Sequence, residues 1–377
     1  GPGTGKTQTL IAHLLYLLKE REIEPGQITA VTFTNRAAAE VKARLQKVLG
    51  KRKADKVQVG TFHHVALRFL KAHGIEGTLI GELEARDRAA EVVKAFGLEW
   101  KPGEFLDELS AYKTKLGEPG KDGGNRQPES EKERAEEDAF AEYQRGLQEE
   151  GLLDFDDILL KALETAKTPE ADRTVFSCLL IDEFQDISPL QYRLVQAWNR
   201  DGKELFVIGD KDQSIYGFRG ADGSCFERLS EDCRKACGEI FQVTLEENYR
   251  STPQILLPAC RMISANPGGT RTLAAIREDG VPVRMVRAGS RKEEGIFIAK
   301  EINRLTGGMG MLEAQEAFTG RPRKVRGFGD IAVLYRTHRQ ALLLETCLRT
   351  EGIPYVVTGR EDYLLERSVA GTEEFFR

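Results

Sequence analysis

The chain opens on Gly1-Pro2-Gly3-Thr4-Gly5-Lys6-Thr7 and runs directly into Thr9 to Leu18 (TLIAHLLYLL), a stretch of good helix formers that is apolar almost all round. That junction constrains the fold more than any other feature, because a glycine-rich turn feeding an apolar helix fits a loop at a sheet edge with its helix packed under the sheet. The glycines let consecutive backbone N–H groups approach a polyphosphate without Cβ clashes, and the positive end of the helix lies at the same place. Lys6 supplies a point charge to the β- and γ-phosphates and the Thr7 hydroxyl can ligate magnesium. The residues expected to cradle the phosphates are Gly3, Thr4, Gly5, Lys6, Thr7 and Gln8. The bland alternative is a glycine turn beside a lysine. With Lys6 as its lysine, the pattern's first glycine would fall one position before Gly1, so the motif and its delivering strand are expected to be incomplete here.

Length and composition narrow the class. At 377 residues the chain is long enough for two or three domains, and 40% hydrophobic content is ordinary for a globular protein. No apolar run reaches about 18 residues, so no membrane span or membrane partner is expected. The six cysteines show no CxxC spacing and read as reduced thiols of a cytoplasmic protein, with a metal cluster at Cys225, Cys233 and Cys237 as the alternative. A net charge of −5 argues against a generally basic nucleic-acid coat but leaves room for a local track. Lys42, Arg44, Lys47, Lys51, Arg52, Lys53 and Lys56 are either such a face or a solvated helix surface.

Further segments carry chemistry. Cys178-Leu179-Leu180-Ile181 followed by Asp182-Glu183 describes a buried parallel strand with carboxylates at its C-terminal edge. In a phosphate-loop protein Asp182 would hold magnesium and Glu183 would orient and deprotonate the attacking water. Leu205 to Asp210 reads as another strand with a polar edge, followed by KDQSIYGFRGA. There Gln213 can sense a γ-phosphate, while Tyr216, Phe218 and Arg219 offer two rings and a cation to stacked bases. In Asn248-Tyr249-Arg250-Ser251, Arg250 is suited to stabilise charge on a transferring phosphoryl group.

Taken in order, GxGKT, TFTNRAAAEVKAR (32–44), GTFHH (60–64), LLDFDDIL (152–159), IDEFQD, GDKDQSIYGFRGA and NYRS resemble the motifs of the UvrD/Rep/PcrA family of superfamily 1 DNA helicases. Residues 327–355 resemble the first part of that family's second motor domain. The resemblance implies an α/β fold: a P-loop NTPase (RecA-like) parallel-sheet domain with an inserted helical subdomain and a partial second RecA-like domain. It implies ATP and Mg²⁺ as cofactors, with Lys6 and Thr7 on the nucleotide and metal, Asp182 on the metal, Glu183 as base and Gln213 as γ-phosphate sensor. Tyr249 would stack on adenine and Arg250 would act as an arginine finger across a domain cleft. Phe33, Thr61, His63, Tyr216, Phe218 and Arg219 match positions that touch single-stranded DNA. Read from the residues alone, Phe33 is equally a core residue, His63 equally a surface hydrogen-bonder, and the Tyr216/Phe218 pair can be aromatic packing.

Two departures from the family pattern stand out: Phe218 where tryptophan is usual, and His64 where serine is usual. The expected organisation is a first motor domain in two parts (1–75 and 176–250), an inserted mainly helical subdomain (76–175) and a partial second motor domain (251–377). In that last part Pro282 to Val286 and Asp330 to Tyr335 read as strands and Glu293 to Leu305 as a helix. Lys115 to Gln127 and Thr306 to Gly329 read as loops. The accessory insertion and C-terminal motifs of the family are expected to be missing. The function implied is ATP-driven 3′ to 5′ movement on single-stranded DNA with duplex unwinding, in repair or replication and with repair or nuclease partner proteins. A nucleotide- and DNA-binding module that does not unwind, or the motor of a helicase-nuclease, are the alternatives.

Overall fold

The computed structural model describes residues 1–116, 130–217, 220–236, 240–266, 272–307 and 326–358. The chain divides into two compact units, residues 1–282 and 283–377.

The first unit is built on parallel strands β1 (Ile28–Val31), β2 (Gln58–Gly60), β5 (Cys178–Ile181) and β6 (Glu204–Val207), in the order β2-β1-β5-β6 among the described residues. The in-register pairs Ile28 with Cys178 and Cys178 with Glu204 line up the C-terminal ends of the strands at one edge. Strand alternation divides β5 between two cores. Cys178 and Leu180 pack with helix α1 (Lys6–Lys19) and helix α2 (Asn35–Leu49), while Leu179 and Ile181 pack with α4 (Phe62–Ala72), α8 (Phe155–Lys167) and α9 (Pro189–Trp198). Leu10, Leu14 and Leu17 of α1 are essentially unexposed, and burial of each contributes about 1.5–3 kcal/mol. The near-continuous apolarity of TLIAHLLYLL thus meets a sheet on one side and α2 on the other. Exposed α3 residues Lys51, Arg52 and Lys53 (helix Lys51–Ala54) follow α2, and the basic residues of this stretch are all solvent-exposed.

Between α4 and β5 the chain makes a helical excursion. Two-residue strands β3 (Thr78–Leu79) and β4 (Leu152–Leu153) pair where it leaves and returns. Within it α5 (Glu82–Ala95), α6 (Pro102–Leu116) and α7 (Glu131–Glu149) enclose their own core around Phe105, Phe140 and Tyr143. Helix α8 then begins at a reciprocal cap, Asp154 with Asp157, and returns to the sheet. Of the loop expected at Lys115 to Gln127, α6 takes the first two residues and the rest lies outside the described residues.

After β6 come α10 (Cys225–Ala236), the short parallel pair β7 (Glu247–Asn248) and β8 (Ala274–Ala275), and α11 (Pro253–Ile263). In the second unit α12 (Arg291–Leu305) packs on α13 (His338–Thr350) around Ala299, Ile302, Cys347 and Leu348. The helix expected at Glu293 to Leu305 is therefore present, started by the Ser290 side chain on the N–H of Glu293. The strands expected at Pro282 to Val286 and Asp330 to Tyr335 do not form ladders among the described residues. Apolar β-formers become strands only when a neighbour satisfies their backbone, and here Met285 and Leu334 are almost fully exposed. Most of the loop expected at Thr306 to Gly329 lies outside the described residues.

Candidate functional site

The site lies at the C-terminal edge of the first unit's sheet, where the loops after β1, β5 and β6 meet the start of α1. Gly3 and Gly5 take positive φ (72° and 85°), and Gly5 serves as N-cap of α1 with no side chain satisfying the first N–H groups. Those donors and the helix's positive end face outward together, which is the arrangement an anion requires. The Thr4 hydroxyl donates to the Gly1 carbonyl at 2.7 Å and tightens the loop. Gln8 is exposed and accepts from Arg44.

Lys6, 9% exposed, turns back across the sheet edge, and its Nζ lies 2.7 Å from Glu183 Oε2. Asp182 follows β5 directly, its N–H donating to the Val31 carbonyl at 2.9 Å. Glu183 is held in the left-handed region (φ 49°), an uncommon state for a residue with a side chain. Its N–H donates to Asp182 Oδ1 at 3.0 Å. Burial first, and the charge of Glu183 second, push the Asp182 carboxyl up to about 6, with the Glu183 N–H and Lys6 opposing. Asp186 is raised by the same two causes, and its Oδ1 is buried with no hydrogen-bond partner. Three carboxylates face one lysine, so the site holds more negative charge than it can neutralise. That surplus, beside the Thr7 hydroxyl, suits a hard divalent cation that takes its remaining ligands from water and phosphate. Among the described residues no group of three or more His, Cys, Asp or Glu side chains could hold a metal on its own, Cys225 and Cys233 included; Cys237 lies outside them.

A cavity of ≈ 470 Å³ opens here, lined by Thr7, Phe33, Thr34, Ala37, Asp182, Glu183, Gln185, Asp186, Asp212, Gln213, Ile215 and Tyr216. Two sets of sequence-derived residues therefore share one space: Thr7, Asp182, Glu183 and Gln213, and the rings of Phe33 and Tyr216. Those rings lie 5.1 Å apart, tilted by 31°. Phe33 is half-buried rather than in the core. Gln213 is placed by Asp210, which caps the turn Lys211–Gln213 through the Asp212 N–H and accepts from the Gln213 side chain.

Asn248, Tyr249 and Arg250 dock on the phosphate loop instead of lining the cavity. The Tyr249 N–H donates to the Gly3 carbonyl at 2.9 Å and the Asn248 side chain donates to the Pro2 carbonyl. Asn248 Oδ1 accepts from the N–H groups of Arg250 (3.0 Å) and Ser251 (2.7 Å). The approach is close enough that a Cβ on Gly3 would lie 2.5 Å from the Cβ of Arg250. The Tyr249 ring is more than half exposed and its hydroxyl donates to Glu247.

Thr61 and His63 lie beside, not in, the cavity. The Thr61 hydroxyl caps α4; His63 packs edge-on against the exposed ring of Phe155, 5.1 Å away, and burial lowers its pKa. Phe218 and Arg219 lie outside the described residues. Gln185, Asp210 and Asn248 have structural positions at the site that no single motif position revealed, because each has a partner in a distant segment.

Comparison with known proteins matches residues 1–234 to the UvrD/REP helicase N-terminal domain and residues 243–369 to the UvrD-like helicase C-terminal domain. The chain is 30% identical over 394 residues to the ATP-dependent DNA helicase PcrA of Staphylococcus epidermidis, covering all of this chain and 50% of that protein. It is 31% identical over 396 residues to PcrA of Staphylococcus aureus, with the same coverage of each. The chain spans about half the length of the curated relatives it matches. Among the described residues no helix is long and apolar enough to cross a membrane.

Proposed function

The chain belongs to the UvrD/REP helicase family, and from that premise we propose that it is the ATP-hydrolysing motor portion of a DNA helicase that moves 3′ to 5′ on single-stranded DNA and separates duplex at junctions. The observation that carries this reading is the shared cavity: Thr7, Asp182, Glu183 and Gln213 on one side, the Phe33 and Tyr216 rings on the other. In this reading hydrolysis chemistry and a base-stacking surface share that cavity.

In this reading the β- and γ-phosphates rest on the α1 N-terminus and draw the Lys6 ammonium off Glu183. The freed Glu183 carboxylate orients water for in-line attack and accepts its proton. The Thr7 hydroxyl and Asp182 would hold a magnesium ion, which would supply neutralisation of phosphate charge. Gln213 contacts the γ-phosphate, Tyr249 stacks on adenine and Arg250 stabilises charge on the transferring group. Phe33 and Tyr216, with Phe218, Arg219, Thr61 and His63, contact the single strand. The working context is DNA repair or replication in the cytoplasm.

ATP hydrolysis by the 377-residue chain, measured with and without single-stranded oligonucleotide, tests the reading. The oligonucleotide is expected to stimulate turnover. Lys6→Ala is expected to abolish nucleotide binding. Glu183→Gln is expected to lower kcat by about 10²–10⁴ with binding retained, the range for loss of a general base. A wild-type chain that binds no nucleotide, or hydrolyses it indifferently to DNA, would sink the proposal. Polarity is read separately, from displacement on duplexes tailed at one end only.

A further inference from the structure

Gln185 is buried to 2% exposure, and both ends of its side-chain amide are engaged. Oε1 accepts from the Asp210 N–H at 2.8 Å, while Nε2 donates to Glu183 Oε2 and to Asp186 Oδ2, each at 3.0 Å. The partners settle which end is which, since only oxygen can face a backbone donor and only nitrogen can face two carboxylates. Space for the bridge comes from Gly209, where a Cβ would lie 2.4 Å from Gln185 Oε1 and 3.0 Å from the Phe184 backbone nitrogen.

On its far side the bridge reaches the segment that carries Gln213 and Tyr216. Asp210, held by Gln185, caps the turn bearing Gln213. The Ser214 hydroxyl donates to the Gln185 carbonyl at 3.2 Å, two residues before Tyr216. On its near side Glu183 Oε2 is shared between Lys6 and Gln185. A phosphate that draws Lys6 away leaves Gln185 as the side-chain donor on that oxygen. The amide is planar and rigid, so a movement of Nε2 with the carboxylate moves Oε1, and with it the Asp210 N–H.

We propose that Gln185 is a positioning residue that transmits the state of the Glu183 carboxylate to residues 210–216, linking the hydrolysis site to the aromatic face. The proposal rests on the function given above, and coupling of this kind is reciprocal: a strand held on Tyr216 alters nucleotide affinity by the same factor that nucleotide alters strand affinity.

Gln185→Leu removes both ends of the bridge. Gln185→Glu keeps an acceptor for the Asp210 N–H but sets a carboxylate against Glu183 and Asp186. Two readouts on the 377-residue chain decide the matter. The first, amide hydrogen exchange without ligands, is expected to rise about tenfold across residues 209–216 in Gln185→Leu and to stay near wild type in Gln185→Glu. The second is the ratio of oligo-dT affinities with and without a non-hydrolysable Mg·ATP analogue. In wild type it is expected to depart from unity at least about fivefold, and in both variants to fall close to one, with analogue affinity changed less than about threefold. Unchanged exchange in Gln185→Leu overturns the bridge whatever the protein binds. Raised exchange with an intact ratio overturns transmission. Should Gln185→Leu fail to fold, the ratio in Gln185→Glu decides alone, and a wild-type value there overturns transmission. A wild type that binds neither ligand brings down the functional reading and this proposal with it, and is recognised because the failure precedes any substitution.

Discussion

Replacing Lys113 by methionine should destabilise the first unit severely at neutral pH and progressively less as the solution is acidified. Lys113 lies on α6 at 3% exposure, its Nζ 2.5 Å from Asp154 Oδ2 and 2.7 Å from Asp157 Oδ1 at the start of α8. Gln144 of α7 donates to the same Asp157 at 3.1 Å. At an effective dielectric of about 20, each contact represents roughly 6 kcal/mol of gross attraction, much of it offset by desolvation. Truncating the lysine restores none of that desolvation and leaves two buried carboxylates facing each other, so the net loss is about 3–5 kcal/mol. For a unit of this size that corresponds to a fall in Tm of roughly 6–15 °C. The pH dependence follows from the two aspartates. Burial raises Asp154 despite Lys113, whereas Asp157 is held below the usual carboxylate range because Lys113, Gln144 and the Asp154 N–H outweigh its burial. Without Lys113 both folded-state values rise above the unfolded one, so the folded variant binds protons first and gains stability as pH falls. In wild type Asp157 contributes the opposite slope. Scanning calorimetry of both proteins from pH 7.5 to 5 should therefore show the Tm gap narrowing. A gap under about 2 °C, or one that does not change with pH, would refute the reasoning and mean that water reaches the cluster.

Two further outcomes follow from the same kind of accounting. Gly3→Ala meets both a left-handed backbone (φ 72°) and the Arg250 Cβ at 2.5 Å; it should cost about 1–2 kcal/mol in backbone strain alone, and nucleotide titration should show weakened binding, whereas unchanged affinity would mean that the 248–250 segment yields freely. His63 is disfavoured as a cation by burial, so the unfolded chain protonates first and wild type loses stability as pH falls through about 6.5; His63→Gln should flatten that part of the Tm–pH profile, and a parallel profile would contradict the assignment.

The fold was legible in the sequence wherever a residue's environment is set by its neighbours in the chain. Cys178 to Ile181 reads as a strand buried on both faces, and the structure divides its side chains between two cores. The α1 junction reads as loop and helix for the same reason. Legibility ends where partners are distant. The Lys6 to Glu183 pair spans 177 positions and the Asn248 contact with Pro2 spans 246, and no local pattern encodes either. Pro282 to Val286 shows the converse failure. Its pattern suits a strand, but β-propensity measures fit to a pleated surface, and the described residues provide no neighbouring ladder for it.

The same distinction explains why the motifs point to a chemistry but not to the connections between its residues. In Asp182-Glu183-Phe184-Gln185-Asp186 the acids announce themselves by charge after an apolar strand, but Gln185 and Phe184 look interchangeable with any polar and any apolar residue. Only the fold separates them: Phe184 is buried in the main core, while Gln185 faces the next loop along the sheet edge, within reach of Asp210. A parallel sheet makes such placements systematic. It delivers the C-terminal ends of successive strands to one edge, so residues a few positions past β5 and β6 become neighbours across the loop-to-loop gap. Polar side chains just beyond the Asp182 and Glu183 carboxylates are therefore where coupling between adjacent loops should be sought. In this chain the bridge between those loops is a neutral amide because its partners are a backbone donor on one side and two carboxylates on the other. No acidic side chain could serve the second side without repulsion, and no basic one could accept on the first.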